Sequence, residues 1–169
     1  MKEIQLTQGY VALVDDEDFE RCMEGPKWYS QVHRRKNGSV RTVYAQRRVR
    51  REDGTRTSQY MHRFILGVTD PKVQVDHKDH NGLNNQKYNL RPATSAENAH
   101  NQCISTDSSS GCKGVHWSDQ KWVARIMIDG KRRQLGRFVS IANAKKAYDS
   151  AALKYFGEFA LTNEMMEAA

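Results

Sequence analysis

Residues 114–157 leave this chain little choice of local fold. Lys121 to Ile128 alternates, with Trp122, Ala124, Ile126 and Ile128 on one side and Lys121, Val123, Arg125 and Met127 on the other. That two-residue period belongs to a strand with one buried face. Gly114-Val115-His116-Trp117 reads as a shorter strand before it, and Asp129-Gly130 is a hairpin turn leading into a third strand from Lys131 to Phe138. From 140 to 156, Ala144, Ala147, Tyr148, Ala151, Ala152 and Tyr155 recur at helical spacing and stop near Gly157. One helix cannot cover both faces of three strands. One face packs on it, and the other is left for a partner.

The N-terminal part also reads as β-rich. Tyr10 to Val14 has the pattern of a strand, and Asp15 or Asp16 can cap a short helix through Met23 whose first turn is acidic. Trp28 to Val32 and Val40 to Val49 flank Lys36-Asn37-Gly38-Ser39, a strong hairpin signal, and Glu52-Asp53-Gly54 makes the next turn. Ser58 to Leu66 reads as a strand or a short helix. Thr94-Ser95-Ala96-Glu97 has the spacing of a capping box and starts a helix carrying Asn98 and Asn101 on one face. Ser105 to Ser110 is a polar run suited to a linker.

The balance of charge points to an anionic partner. The 169 residues carry a formal net charge of +7. Between Gln31 and Arg56 nine Lys and Arg face two acids, so that strand region, Arg47 and Arg48 included, is expected to hold DNA. No apolar run is long enough to span a bilayer, and Met1 to Gln5 lack a signal-peptide core, so a cytoplasmic location, in a bacterium or a phage-infected cell, and no membrane partner are expected. Cys22, Cys103 and Cys112 form no CxxC pair, which argues against a zinc knuckle or a disulfide framework.

Chemistry concentrates in Val75-Asp76-His77-Lys78-Asp79-His80-Asn81-Gly82, followed by Asn84-Asn85, Asn89-Leu90-Arg91 and Glu97-Asn98. The Asp76 carboxylate is a hard oxygen ligand suited to one Mg²⁺ or Mn²⁺. His77 carries an imidazole able to take a proton from water at neutral pH. The two are neighbours, so on an extended segment their side chains diverge unless the Asp79–Asn85 turn bends the backbone. Asn98, on the helix, offers an amide oxygen as a second ligand. Arg91 reads as a salt-bridge or phosphate contact, and His62 as structural or a phosphate contact.

From Met61-His62-Arg63 through Asp76-His77, Asn84-Asn85 and Asn89-Leu90-Arg91 to Glu97-Asn98, the chain resembles the His-Asn-His (HNH) nucleases, closest to their phage and intron-encoded homing branch. The resemblance implies a ββα-metal unit, a hairpin followed by a helix, in which Asp76 and Asn98 hold the metal and His77 is the general base. It also implies that Asn89 pins the hairpin and helps to orient the base. His80 departs from the family loop, which carries a small or acidic residue there, and with His100 it competes for the role of base or ligand. Leu6-Thr7-Gln8-Gly9 with Val14-Asp15-Asp16 resembles, more weakly, the leader of such proteins.

Residues 111–163 resemble the plant ethylene-response-factor (Apetala-two-type) DNA-binding domain. The matching residues are Gly114-Val115, Lys121-Trp122-Val123-Ala124, Leu135-Gly136, Phe138, Ala144, Ala147-Tyr148-Asp149, Ala151-Ala152 and Gly157. The resemblance implies a sheet laid in the DNA major groove through Lys113, His116, Lys121, Arg125, Met127, Arg132 and Gln134. Gln134 stands where the family has Trp, Arg125 where it has an acid and Met127 where it has Arg, so the plant target does not transfer.

The expected fold class is α+β: a basic β-rich region over 1–57, an HNH nuclease unit over 58–104, a linker over 105–110, and over 111–163 a three-stranded antiparallel sheet packed on one helix. The expected function is site-specific, homing-type cleavage of double-stranded DNA with one divalent metal per site, a monomer nicking and a self-dimer or sequential cuts giving a double-strand break. The alternative is a DNA-binding transcription regulator with a decayed nuclease unit.

Overall fold

The computed structural model describes residues 1–104 and 108–168, so the linker reading falls partly outside the described residues. The chain is α+β, built from several small antiparallel sheets and short helices. Its contacts divide it into two compact units, Met1–Ser95 and the residues from Ala96 onward. Among the described residues no helix is long and apolar enough to cross a membrane.

In the first unit β1 (Lys2–Gln5) pairs with β2 (Val11–Val14), and α1 (Asp16–Met23) follows. Asp15 occupies the N-cap but makes no side-chain cap bond. Its carboxylate is bound to Gln86 and Lys87 instead, while Asp16, Glu17 and Asp18 place negative charge at the positive end of the helix. Strands β3 (Tyr29–Arg34), β4 (Val40–Arg50) and β5 (Arg56–Tyr60) form a meander around the expected Asn-Gly and Asp-Gly turns. The segment read as strand or helix is both in succession, because β5 ends at Tyr60 where α2 (Met61–Ile65) begins. Strands β6 (Gln74–His77) and β7 (Leu90–Ala93) form the last hairpin.

Each of these elements is too polar to supply a core alone, so the buried cluster draws on many of them. Ile4, Ala12, Val14, Cys22, Trp28, Ala45, Met61, Ile65 and Leu90 pack together. Arg47, expected to hold DNA, belongs to this core layer. It is 6% exposed, its guanidinium lies 4.3 Å from the Trp28 ring and 4.4 Å from that of Phe64, and it donates to Gln59 Oε1 and to the Glu24 carbonyl. The alternation of β4 turns Arg47 inward beside Ala45, whereas Arg48 is exposed on the opposite face.

In the second unit β8 (Val115–Ser118), β9 (Lys121–Ile128) and β10 (Lys131–Phe138) form an antiparallel sheet in that order, and α4 (Ile141–Phe156) packs against it. Ser140 caps α4 by accepting from the Ala142 amide at 3.2 Å. Gly157 ends it with φ 53°, a backbone state that favours glycine. Ala144, Tyr148, Ala151 and Ala152 of the stripe are buried against Val115, Ala124, Ile126 and Ile128. Tyr155, at the end of the stripe, is instead 45% exposed. Val123, assigned by parity to the open face, is 1% exposed, so that face holds one buried apolar residue among its polar ones. A side chain at Gly114 would start 2.0 Å from the Tyr148 ring, which is why the chain has glycine where it enters β8. Helix α3 (Ser95–Asn101) begins at the boundary between the units, and α5 (Asn163–Glu167) closes the described chain.

Candidate active site

The β6–β7 hairpin sets the candidate site through its register, which pairs Asp76 with Arg91 and His77 with Leu90. Because β6 stays regular through His77, alternation sends the two neighbouring side chains to different surroundings. Asp76 Oδ2 accepts from Arg91 Nε at 2.8 Å and from Arg91 Nη2 at 2.6 Å, in a pair whose side chains are 6% and 9% exposed. His77 meets Asn85 and the rings of Tyr44 and His62, with centroid distances of 5.8 and 5.1 Å. The bend expected within the motif begins only after His77.

Side-chain amides hold the loop that follows. Asn89 Nδ2 donates to Asp79 Oδ1 at 2.8 Å and to the Asn84 carbonyl at 2.9 Å, and Asn89 Oδ1 accepts from the Asp79 amide at 3.0 Å. Asn84 Nδ2 donates to Asp79 Oδ2 at 2.7 Å. His80 sits in this turn at φ 63°, a left-handed state uncommon for histidine, and its amide donates to the His77 carbonyl. Gly82 lets the loop lie on β4, since a Cβ there would meet the Val43 carbonyl oxygen at 2.4 Å and the Tyr44 ring at 2.6 Å. The N-terminal hairpin ties the loop down. Leu13 donates to the Leu83 carbonyl and accepts from the Asn85 amide, both at 2.8 Å. The Asp15 carboxylate accepts from Gln86 Nε2 at 3.0 Å and from the Lys87 amide at 2.8 Å.

This anchoring orients the imidazole. Asn85 Nδ2 donates to the Leu83 carbonyl, so Asn85 Oδ1 is the atom facing His77 Nε2, at 3.4 Å. An amide oxygen can only accept, which places the imidazole proton on Nε2 and the proton-accepting lone pair on Nδ1. Burial pulls the His77 pKa below its ordinary value, against the opposing effects of the Asn85 bond, Asp79 and Asp76. The ring is therefore neutral at pH 7, as a base must be. His62 is held lower still, at about 3, by burial first and then by His77 and Arg63. It stacks on Tyr60 at 5.3 Å, and its Nδ1 has no hydrogen-bond partner among the described residues.

Of the expected metal ligands, Asp76 is 5% exposed on β6 in the first unit, and Asn98 is half-buried on α3. Among the described residues no group of three His, Cys, Asp or Glu side chains could enclose a metal. By its chemistry alone, a carboxylate or a carboxamide oxygen is a donor suited to a hard cation that keeps waters, such as Mg²⁺, rather than to a closed protein cage. His100, a possible competitor for the catalytic role, stacks on Phe156 at 3.6 Å and takes part in the packing of the second unit.

The open face of the second sheet largely follows the expected pattern. Register sets Arg125 opposite Gln134, Met127 opposite Arg132, and Val123 opposite His116. Lys121, Arg132 and Gln134 are exposed, and His116 and Arg125 are half-buried. Lys113 departs from this set. Its ammonium donates to the carbonyls of His100 and Gln102 at the end of α3, and burial lowers its pKa to about 8. It caps a helix end instead of presenting charge to a partner.

Sequence reasoning missed the parts played by Asn85, Tyr44 and Asp15; of the two roles it left open for Arg91, the salt bridge is the one found, with Asp76. Asn84-Asn85 stood in the motif without a role. Nothing local distinguishes Tyr44 or Asp15 from other strand and cap residues, because their contacts lie 33 and 71 positions away, at His77 and Gln86.

No family model matches the chain. It is similar to a protein of Acanthamoeba polyphaga mimivirus named an uncharacterized HNH endonuclease, 34% identical over 111 residues that cover 62% of this chain and 57% of that protein. It is also similar to a protein of Escherichia phage T7 named Protein 3.8, 37% identical over 60 residues, 34% of this chain and 50% of that protein. The chain thus spans about half the length of these curated relatives.

Proposed function

We propose that this chain is a metal-dependent DNA endonuclease of the HNH type, of the homing branch, nicking one strand as a monomer. The observation that carries the reading is the buried His77, its Nε2 3.4 Å from Asn85 Oδ1, one residue from the buried carboxylate of Asp76. The similarity to a mimivirus protein named an HNH endonuclease supports it. In this reading β6, β7 and α3 form the ββα-metal unit, with Asp76 and Asn98 as metal ligands. A bound Mg²⁺ or Mn²⁺ would supply positive charge to the scissile phosphate and to the leaving 3′ oxygen.

The protein's own groups do the rest. His77 Nδ1 takes the proton from the attacking water as its oxygen bonds to phosphorus and the bond to the 3′ oxygen breaks. Asn85 holds the tautomer that makes Nδ1 the acceptor. Arg91 fixes the Asp76 carboxylate, and Asn89 pins the loop that carries Asn85. The second unit acts as an Apetala-two/ERF-type reader, contacting DNA through the face that bears His116, Lys121, Arg125, Arg132 and Gln134. The helix covering the opposite face supports this assignment. A double-strand break would require a self-dimer on DNA or two sequential nicks.

The test is conversion of supercoiled plasmid to open circles with Mg²⁺ or Mn²⁺. Asp76→Ala and His77→Ala are expected to abolish nicking while leaving gel-shift affinity within a few-fold. Nicking that survived in both variants would reject this site.

A further inference from the structure

The β3–β4–β5 sheet has two unlike faces, and only one was needed to build the core. Arg47 and Ala45 point inward. On the other face Tyr44, Gln46, Arg48 and Arg50 follow one another along β4. There Gln46 lies opposite Tyr60, Arg48 opposite Ser58, and Arg50 opposite Arg56. The inner end of this face is the floor of the candidate site, where Tyr44 packs on His62 and His77, and Tyr60 on His62. Further out, Arg48, Arg50 and Arg56 are all exposed.

Those three arginines are arranged at a cost. Arg50 and Arg56 are cross-strand partners, and like charges set directly opposite destabilise a sheet. None of the ion pairs among the described residues includes Arg48, Arg50 or Arg56. Asp53, in the adjoining turn, bonds to Thr55. A polyanion laid along the face would relieve this repulsion. A line of guanidinium groups running out from the floor of the site matches a phosphate backbone better than a single small anion.

We propose that this face is a phosphate-binding track for duplex DNA, in which Arg48, Arg50 and Arg56 grip the backbone to one side of His77. The track rests on the nuclease reading only for what happens at His77. A strand rises about 3.4 Å per residue, so Arg48 and Arg50 lie about 14 and 20 Å along β4 from Tyr44. At about 3.4 Å per base pair that is roughly four to six base pairs.

The test compares two full-length variants carrying the same loss of charge. One is Arg48→Gln/Arg50→Gln/Arg56→Gln. The other is Arg34→Gln/Arg35→Gln/Lys36→Gln, at the end of β3 and in the turn after it. Affinity for a mixed-sequence duplex of about 30 base pairs is measured in EDTA between about 50 and 200 mM salt. The track variant is expected to lower the log–log salt slope by about 2–3, at roughly 0.9 per phosphate contact, and to lose at least about tenfold more affinity than the control. If the triple variant melts early, Arg48→Gln and Arg56→Gln singly are each expected to lower the slope by about 1. Equal losses in track and control variants, or tighter binding of an RNA duplex by the parent, would overturn the track. Plasmid nicking is followed in parallel. A parent that does not nick but keeps the affinity contrast rejects the nuclease reading alone. A parent that nicks without the contrast rejects the track alone.

Discussion

Asn85 and His77 are joined by a contact whose direction is set elsewhere. Asn85 Nδ2 is committed to the Leu83 carbonyl and its backbone amide to Leu13, so its Oδ1 faces His77 Nε2 at 3.4 Å. The tautomer of the candidate base thus depends on β2, more than sixty residues earlier in the chain.

Replacing Asn85 should therefore impair chemistry more than binding. Asn85→Ala is expected to lower the nicking rate about 10- to 100-fold, the usual effect of removing an orienting partner, with DNA affinity within a few-fold. Single-turnover nicking beside gel-shift titration separates the two. A loss confined to affinity would contradict the orienting role.

Arg91 and Asp76 form a buried pair, so removing one charge strands the other. Arg91→Met is expected to destabilise the first unit by about 3–5 kcal/mol. The double change Asp76→Leu/Arg91→Met should recover most of it, because no charge is then left buried. Urea denaturation of the parent and the two variants checks this. An undiminished loss in the double variant would show that the pair is not the cause.

His62 gives the first unit a dependence on pH with a definite sign. Its folded pKa is about 3 against an ordinary value of 6.5, because burial, then His77 and Arg63, disfavour the charged ring. The unfolded chain binds the proton more readily, so this contribution is whole above pH 6.5 and is lost as pH falls toward 3. His62→Phe is expected to make the fall in melting temperature between pH 6.5 and 4 shallower. His77, also held low, keeps part of it. An unchanged slope would mean that His62 is not buried neutral.

Arg47 and Arg48 are neighbours with different tasks. Arg47→Met should lower stability through its two ring contacts and two hydrogen bonds, by about 1–3 kcal/mol, without changing the salt slope of DNA binding. Arg48→Gln should do the reverse. Thermal melts and salt titrations of both variants decide it, and a lowered salt slope for Arg47→Met would place its guanidinium on DNA.

If the chain nicks as proposed, the nick and the arginine track have a fixed spacing. Phosphate ethylation is expected to interfere with binding roughly four to six base pairs to one side of the nick, as the rise along β4 requires. Interference confined to the phosphates next to the nick would contradict the spacing.

The local elements and the reactive groups were legible in the order of residues alone. Asn37-Gly38 and Asp129-Gly130 marked turns, the alternation of Lys121–Ile128 separated a helix-covered face from an open one, and the stripe from Ala144 to Ala152 located α4. Such signals are legible because they lie within one strand or a few helical turns. The motif also put Asp76, His77, Asn89 and Asn98 forward, since reactive side-chain types are visible without a fold. Tertiary structure decided which groups are accessible and what each one touches. It buried Arg47 against Trp28 and Phe64, set Lys113 on the end of α3, joined Arg91 to Asp76, and directed Asn85 at His77. Those outcomes depend on partners brought close by packing, and a cation in a polar chain has the same letter whether it faces a ring, a carbonyl or water.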